Sequence, residues 1–181
     1  MRFPFAERVV VAALFAVVTA SGCNKGIPSG QGPAPAENAV DAQGAMHPGP
    51  ADRCPVCAMT VHDKKFPAAI ALDDGRTFYF CGPGCMIRSR LDPKTHLGGT
   101  DASHIKSVVA TDYFTGKPLD ANKAYWIAGS DVTGPMGPMP VALSDEAAVK
   151  AFMERHGGKK TFRLGELTQE QWEAMRKKPA R

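Results

Sequence analysis

The chain has 181 residues, of which 44% are hydrophobic and 22% charged, which is ordinary for a globular protein of one domain or two small ones. Its formal net charge of +4 comes from 22 basic and 18 acidic residues. Because no dense Lys/Arg run precedes the basic C-terminal tail, the composition argues against a nucleic-acid partner.

The first segment is predicted to be a bacterial lipoprotein signal. Two arginines accompany an apolar run from Val9 to Thr19, which is shorter than the ~20 apolar residues that a membrane-spanning helix needs. Small residues then lead into Cys23, an arrangement that resembles the lipobox, whose cysteine is lipidated and becomes the new N-terminus. We therefore expect residues 1–22 to be removed and Cys23 to anchor the chain in a membrane. Ordinary cleavage nearby, which would leave Cys23 as a free thiol, is the alternative.

The residue after the lipidated cysteine bears on the location. Asn24, and not Asp, follows Cys23, and the resemblance to sorted lipoproteins then favours the outer membrane of a diderm cell, with the protein facing the periplasm. Residues 23–50 are rich in Gly, Pro, Ala and Gln, so they are predicted to form a flexible tether. Fully extended, about 25 residues could hold the folded part up to ~80 Å from the lipid surface.

The first predicted folded unit, residues 51–100, begins with a hairpin and a short helix. An Asp-Asp-Gly turn joins two apolar runs of strand character. Pro83 suits the first turn of a helix, and Pro93 cannot continue it. The expected elements are strands at Phe66–Leu72 and Thr77–Phe80 and a helix from Pro83 to about Leu91.

The second predicted unit, residues 101–167, repeats the order of strand, strand and helix. Ser144 is a good N-cap for its helix, which Gly157 closes. Thr168 and Gln171 form a capping box for a terminal helix, which with the basic tail makes up residues 168–181. The expected strands are Ser107–Phe114, Ala124–Gly129, Pro140–Leu143 and Thr161–Leu164. We therefore predict an α+β fold of two small homologous ββα-type units in tandem, after the lipoprotein signal and tether.

Four cysteines in the first unit could carry chemistry: Cys54, Cys57, Cys81 and Cys85. They form C-x-x-C and C-x-x-x-C pairs at loops or strand ends. Each pair can turn both sulfurs toward one point, and two such pairs can close a tetrahedron around a metal ion.

Methionines accompany these cysteines. Met59 follows Cys57 by two residues, and Met136 lies in the stiff segment Gly-Pro-Met-Gly-Pro-Met. Thiolate and thioether sulfur together select soft cations, above all copper(I), whereas zinc would use the four cysteines without the methionines. Because copper(I) is content with two or three soft ligands, a partner's donor can enter as one ligand leaves, without release of free ion.

Other interpretations of the cysteines stay open. Outside the cytoplasm, four cysteines can form two structural disulfides, and the same spacing suits a closed structural zinc site. The Cys54–Cys57 pair could also act in thiol–disulfide exchange. No Ser/His/Asp arrangement, phosphate loop or motif of paired carboxylates indicates an enzyme, so none is expected.

Segments spread over both units carry a family resemblance. They are Cys54-Pro-Val-Cys57-Ala-Met59, Phe80-Cys81, Leu119-Asp120-Ala121, Ala124–Gly129, Gly134–Pro138, Ala151-Phe152 and His156-Gly157-Gly158 followed by Phe162. In this order, over residues 54 to about 167, they resemble the accessory lipoproteins of nitrous oxide reductase, the NosL family.

The resemblance implies an extracytoplasmic copper(I) chaperone built from two related ββα-type units. It implies delivery of copper for the copper-sulfide centre of nitrous oxide reductase, together with an ABC-type maturation complex. The metal ligands that it implies are Cys54, Cys57, Met59, Cys81 and Met136.

Two positions depart from the family pattern. Ala58 stands where Gly is usual, and Cys85 stands where an acidic residue is expected. The extra thiol adds Cys85 to the candidate metal ligands and makes a four-cysteine site, for zinc as well as copper(I). It leaves open a copper carrier for a different client enzyme, or a lipoprotein interaction module held together by zinc or disulfides.

Overall fold

The signal segment, Cys23 and the basic tail from residue 177 lie outside the residues that the structure describes. A computed structural model of the protein describes residues 33–176. Within that range, no helix has both the length and the apolar character needed to cross a membrane.

Short strands and helices alternate along the described residues. The strands are β1 (Ala68–Leu72), β2 (Thr77–Phe80), β3 (Ile105–Thr111), β4 (Pro118–Asp120), β5 (Tyr125–Ala128), β6 (Thr133–Gly134), β7 (Gly137–Pro138), β8 (Val141–Leu143) and β9 (Lys160–Phe162). The helices are α1 (Pro83–Leu91), α2 (Pro93–His96), α3 (Glu146–His156) and α4 (Gln169–Arg176), with 3-10 turns at Ala102–His104 and Leu164–Glu166. The predicted α+β class is confirmed.

The first sheet is antiparallel and has the strand order β2-β1-β3-β4. The predicted hairpin supplies strands β1 and β2 of this sheet. Ile70 of β1 lies opposite Phe78 of β2 on one side and opposite Val108 of β3 on the other. Helix α1 contacts β1 and β2. Strands β1 and β2 precede the boundary predicted at residue 100, and strands β3 and β4 follow it. This sheet therefore contains strands from both predicted units.

The second sheet is also antiparallel and has the order β8-β5-β9. In the first sheet β1 lies between β2 and β3, and in the second sheet β5 lies between β8 and β9, so in both the first strand of the chain order has two neighbours, the next strand of that sheet and the strand that follows a helix. This shared topology agrees with the predicted tandem arrangement, while the homology of the two units stays a prediction. The hairpin β6–β7 was not predicted. It lies between β5 and β8 in the chain order.

Apolar side chains of both sheets meet in a shared core. Trp126 of β5 is fully buried, stacks on Phe162 at a centroid distance of 6.2 Å and donates its indole N–H to the carbonyl of Ala121 at 2.9 Å. It belongs to the same cluster as Ile70 and Phe78 of the first sheet. Because aromatic side chains of this size contribute much of the burial in a small core, the two sheets are stabilised together.

The helix ends follow the predicted capping chemistry with one exception. The capping box is confirmed, since the Thr168 N–H donates to Gln171 Oε1 at 3.1 Å and the Gln171 N–H donates to Thr168 Oγ1 at 3.2 Å. The prediction of Ser144 as N-cap of α3 was wrong by one residue. Asp145 is the cap because its carboxylate accepts the Ala148 N–H at 2.8 Å.

Part of the segment predicted as a tether lies against the first sheet. The Ala36 N–H donates to the carbonyl of Thr77, on edge strand β2, at 2.7 Å, and the His47 N–H donates to the Tyr79 hydroxyl at 3.1 Å. Ala36, Val40 and Met46 pack against the core. Residues 33–50, which we call the strap, are therefore docked on the folded part, and the prediction of a flexible tether is wrong for them.

A buried carboxylate fastens both ends of the strap. Asp52, 6% exposed, accepts the Glu37 N–H at 3.2 Å and the Gly49 N–H at 2.7 Å. We expect Asp52→Ala to leave both amides without their acceptor and to lower the free energy of unfolding by about 1–3 kcal/mol. Hydrogen exchange should accelerate at Glu37 and Gly49.

Asp41→Ala is the matched control. Its carboxylate accepts N–H groups of Gln43 and Ala45 within the strap itself, so docking of the strap should persist. Unchanged exchange at Glu37 and Gly49 in the Asp52 variant would contradict the role of this carboxylate.

Candidate metal centre

The first two cysteines lie on a tight loop that precedes the first sheet. The Cys54 N–H donates to the carbonyl of Met59 at 2.9 Å, and the Ala58 N–H donates to the carbonyl of Cys54 at 2.8 Å. An antiparallel bridge between Arg53 and Thr60 closes the loop. The loop that carries the C-x-x-C pair is thus held by backbone hydrogen bonds.

The second pair lies where β2 passes into α1. Cys81 follows the last residue of β2, Gly82 is the N-cap of α1, and Cys85 lies in the first turn of that helix. This turn contains no acidic residue, and no side chain caps its N–H groups. The partial positive charge of a helix N-terminus favours the thiolate form of nearby cysteines.

All four predicted cysteines converge. Their sulfurs lie within 4.8 Å of one another, with Cys57 Sγ 3.4 Å from Cys81 Sγ and Cys81 Sγ 3.7 Å from Cys85 Sγ. A tetrahedral ion with metal–sulfur bonds of about 2.3 Å would separate its sulfur ligands by about 3.8 Å. The donor set and its spacing therefore fit a single tetrahedral or trigonal metal ion. All four are free thiols, so the disulfide alternative does not describe this structure.

The thiols share protons unequally. Hydrogen bonds from the Cys81 and Cys85 thiols lower the pKa of Cys54 to about 2, against the opposing effect of burial. The same hydrogen bonds raise the pKa of Cys81 and of Cys85, because a thiol that donates to a neighbouring thiolate retains its proton. Because a metal ion binds the thiolate form of cysteine, its binding to this cluster would release protons.

The sulfur-bearing residues differ in exposure. Cys54, Cys81 and Cys85 are buried, whereas Cys57 is half-buried. Met59 is 36% exposed and Met136 59% exposed, which is unusual for methionine.

The Gly-Pro-Met-Gly-Pro-Met segment forms the hairpin β6–β7, with Met136 at its tip. Residues 134–139 line a pocket of ≈ 30 Å³ together with Cys81, Gly82, Gly84 and Cys85. The structure thus places Met136 in the same pocket as the second cysteine pair, although Met136 follows Cys85 by 51 residues in the chain. Sequence reasoning missed Met139 as a member of this pocket, although its regular spacing from Met136 was a signal.

The departure at Ala58 has a conformational meaning. Ala58 has φ = 58°, the only positive φ of a non-glycine residue among those described. This left-handed conformation is disfavoured for a residue with a Cβ by roughly 1–2 kcal/mol. The loop that carries Cys54 and Cys57 is accordingly held in a strained backbone state at this residue.

Comparisons with known proteins agree on one family. The sequence profile of the NosL family matches residues 45–172. The copper-binding lipoprotein NosL of Stutzerimonas stutzeri is 28% identical over 122 residues, which cover 65% of this chain and 63% of that protein's length. The crystal structure of the copper chaperone NosL from Shewanella denitrificans superposes with a TM-score of 0.59 at 25% identity, over 72% of this chain and all of that one.

The strain at Ala58 gives a paired prediction. We expect Ala58→Gly to remove the steric cost, and to raise the free energy of unfolding by up to about 1 kcal/mol after the entropic cost of glycine. Ala58→Val should lower it, by more than about 1 kcal/mol, because a β-branched side chain tolerates positive φ poorly. Denaturant unfolding of the reduced, metal-free protein measures both. A valine variant as stable as the original would contradict this reading of the loop.

Proposed function

The chain belongs to the NosL family, and from that membership we propose that it binds copper(I) through its cysteine cluster outside the cytoplasm and passes the ion to a copper enzyme. The observation that carries the proposal is the convergence of four free thiols beside partly exposed methionines. The names of the relatives from Stutzerimonas stutzeri and Shewanella denitrificans, which describe copper binding and a copper chaperone, support it.

Ligand chemistry favours copper(I) as the cargo. Thiolate and thioether donors are soft, and they prefer copper(I) to the harder divalent ions. Met59 and Met136 are exposed enough to leave the ion or receive it while the buried cysteines keep hold. Transfer then proceeds by exchange, with a donor atom of the recipient replacing one sulfur at a time. The chain's role is to bind and transfer, and no chemical conversion is assigned to it.

Zinc is the second candidate, and the near-tetrahedral spacing of the four sulfurs favours it. Four thiolates satisfy zinc fully, and a closed site of this kind stabilises a fold instead of releasing its ion. The loop around Cys54 is already held by backbone hydrogen bonds, and the core extends over both sheets, so the fold has other sources of stability. That independence favours a cargo ion over a structural one.

The client and the location are finer parts of the proposal. We take nitrous oxide reductase as the client and an ABC-type maturation complex as the co-worker, on the family resemblance of the motifs. We place the protein in the periplasm, anchored through a lipid on Cys23, most simply in the outer membrane. The lipoprotein name of the relative from Stutzerimonas stutzeri supports the anchor.

The two candidate ions respond differently to loss of the thioethers. We expect the double variant Met59→Leu/Met136→Leu to bind copper(I) at least about tenfold more weakly, since a soft ligand is lost, with little change for zinc. Anaerobic competition of the reduced chain against a copper(I) chelator, and separately against a zinc chelator, measures both affinities.

Met153→Leu supplies the control, because Met153 is similarly exposed at 37% but lies on α3. If the double variant lost affinity for copper(I) and zinc equally, or if the reduced protein preferred zinc, a structural zinc site would explain the cluster better than a copper(I) carrier.

The client can be tested in a host that produces nitrous oxide reductase but lacks its own NosL. We expect this chain to restore the copper content of the reductase, whereas the variant Cys54→Ser/Cys57→Ser should not. Metal analysis of the purified reductase gives the result. If the serine variant fully restored the copper content of the reductase, delivery to this client would not depend on the cysteine cluster.

A further inference from the structure

An exposed aromatic side chain lies in the turn between β3 and β4. Phe114 is 41% exposed, whereas Phe152, whose ring centroid is 6.3 Å away, is fully buried. A buried carboxylate fixes the turn, since Asp112 accepts the Phe114 N–H at 3.1 Å and the Thr115 N–H at 2.8 Å. The Asp112 N–H in turn donates to the carbonyl of Lys117 at 2.8 Å. The ring is therefore presented to solvent by a turn of set conformation, so that binding through it costs little ordering entropy.

Phe114 is one end of a row of three aromatic rings. The Tyr113 ring meets that of Phe114 edge-on at a centroid distance of 5.4 Å, and it stacks on Phe66, also at 5.4 Å. Tyr113 packs edge-on against buried Phe152 at 4.9 Å, which anchors the row in the core. Phe66 and Tyr113 are half-buried, so each keeps part of its surface accessible. We call Phe66, Tyr113 and Phe114 the aromatic row.

A cation lies over each end of the aromatic row. Lys65 Nζ is 5.1 Å from the centre of the Phe66 ring, and the Arg155 guanidinium carbon is 5.9 Å from the centre of the Phe114 ring. Both cations are exposed, and neither forms an ion pair with any residue that the structure describes. Accessible rings flanked by unpaired cations complement a surface of apolar side chains and carboxylates. A second copy of this chain would bring the same cations to the contact, so an acidic partner is the better match.

One end of the aromatic row adjoins the candidate metal centre. The Phe66 carbonyl oxygen lies 4.0 Å from the position that a Cβ on Gly82 would occupy, and Gly82 directly follows Cys81. Phe66 also packs against the small apolar cluster that contains Met139, a residue of the pocket beside Cys81. The row is therefore continuous with the part of the molecule that holds the second cysteine pair.

Hydrogen bonds join the middle of the aromatic row to the methionine hairpin. The Tyr113 hydroxyl oxygen lies 3.2 Å from His156 Nε2, and His156 Nδ1 lies 2.9 Å from Asp131 Oδ1. The Asp131 N–H also donates to the carbonyl of His156 at 3.2 Å. Asp131 precedes β6 by two residues, and β6–β7 is the hairpin that carries Met136. The position of the hairpin is thus tied to that of the row by polar contacts.

From these observations we infer that the aromatic row, with Lys65 and Arg155, is the docking surface for the protein that receives the copper(I). This partner presents an apolar patch bordered by carboxylates. A partner held there lies beside the hairpin that carries Met136 and the turn that carries Cys81. The inference rests on the proposed function, which it deepens by naming the chemistry of the partner and the surface that the partner occupies.

The test separates delivery of copper from binding of copper. In a host that produces nitrous oxide reductase but lacks its own NosL, with this chain at a limiting level, we expect Phe114→Ser/Arg155→Glu to lower the copper content of the reductase at least about tenfold. Anaerobic competition of the purified, reduced variant against a chelator should give an unchanged affinity for copper(I), because no candidate sulfur ligand is altered. Thermal unfolding of the metal-free variant verifies that the fold is retained.

Two control variants separate local charge from net charge. Lys106→Glu changes the net charge by the same amount as Arg155→Glu, and Lys106 is exposed and lies on β3 at the end far from the Phe114 turn. We expect Lys106→Glu to deliver copper normally. Arg155→Lys keeps the cation beside Phe114, so it should also deliver copper normally.

Normal delivery by the Phe114→Ser/Arg155→Glu variant, or an equal loss in Lys106→Glu, would overturn the docking surface while leaving the proposed function intact. Sedimentation that shows a dimer for the original chain and a monomer for the double variant would assign the row to a second copy and overturn the acidic partner. Failure of the original chain to bind copper(I) or to supply the reductase would instead overturn the proposed function, together with the inference that rests on it.

Discussion

The arrangement of the site depends on one constraint, which is that four thiols from two separate segments must meet at one point. Cys57 and Cys81 are 24 residues apart, yet their sulfurs lie 3.4 Å from each other. Backbone hydrogen bonds fix each partner independently: the Cys54 loop closes on the carbonyl of Met59, and the β1–β2 pairing delivers Cys81 to the start of α1. Strand pairing and the closed loop thus bring the four sulfurs of the candidate site together.

The second half of the chain completes the site from outside. Its hairpin β6–β7 brings Met136 and Met139 to Cys81 and Cys85, one thioether exposed and the other buried. The shared core that contains Trp126 and Phe78 keeps the two sheets together, so that this contact is maintained. The hairpin is therefore the part of the second half that borders the cysteine cluster.

Local signals predicted much of the fold. The Asp-Asp-Gly turn, the proline at the first turn of α1 and the Thr168–Gln171 capping box each act within a few residues, and each was confirmed. The sequence did not reveal the longer-range contacts. Strand β3 pairs with β1 across the predicted boundary at residue 100, and the strap binds Asp52 and edge strand β2 although its composition is that of a linker. Composition cannot predict which buried carboxylate will accept a given N–H group.

The sequence by itself determined the type of donor, the class of fold and the family, because residue identity, turn chemistry and motif order are local properties. It could place Cys54, Cys57, Cys81 and Cys85 at loops or strand ends and could identify sulfur as the candidate donor. Only the tertiary structure decided that all four thiols meet, that Met139 and not only Met136 borders them, and that Ala58 adopts a left-handed conformation. Those facts depend on distances between segments far apart in the chain, which are set by strand pairing and core packing.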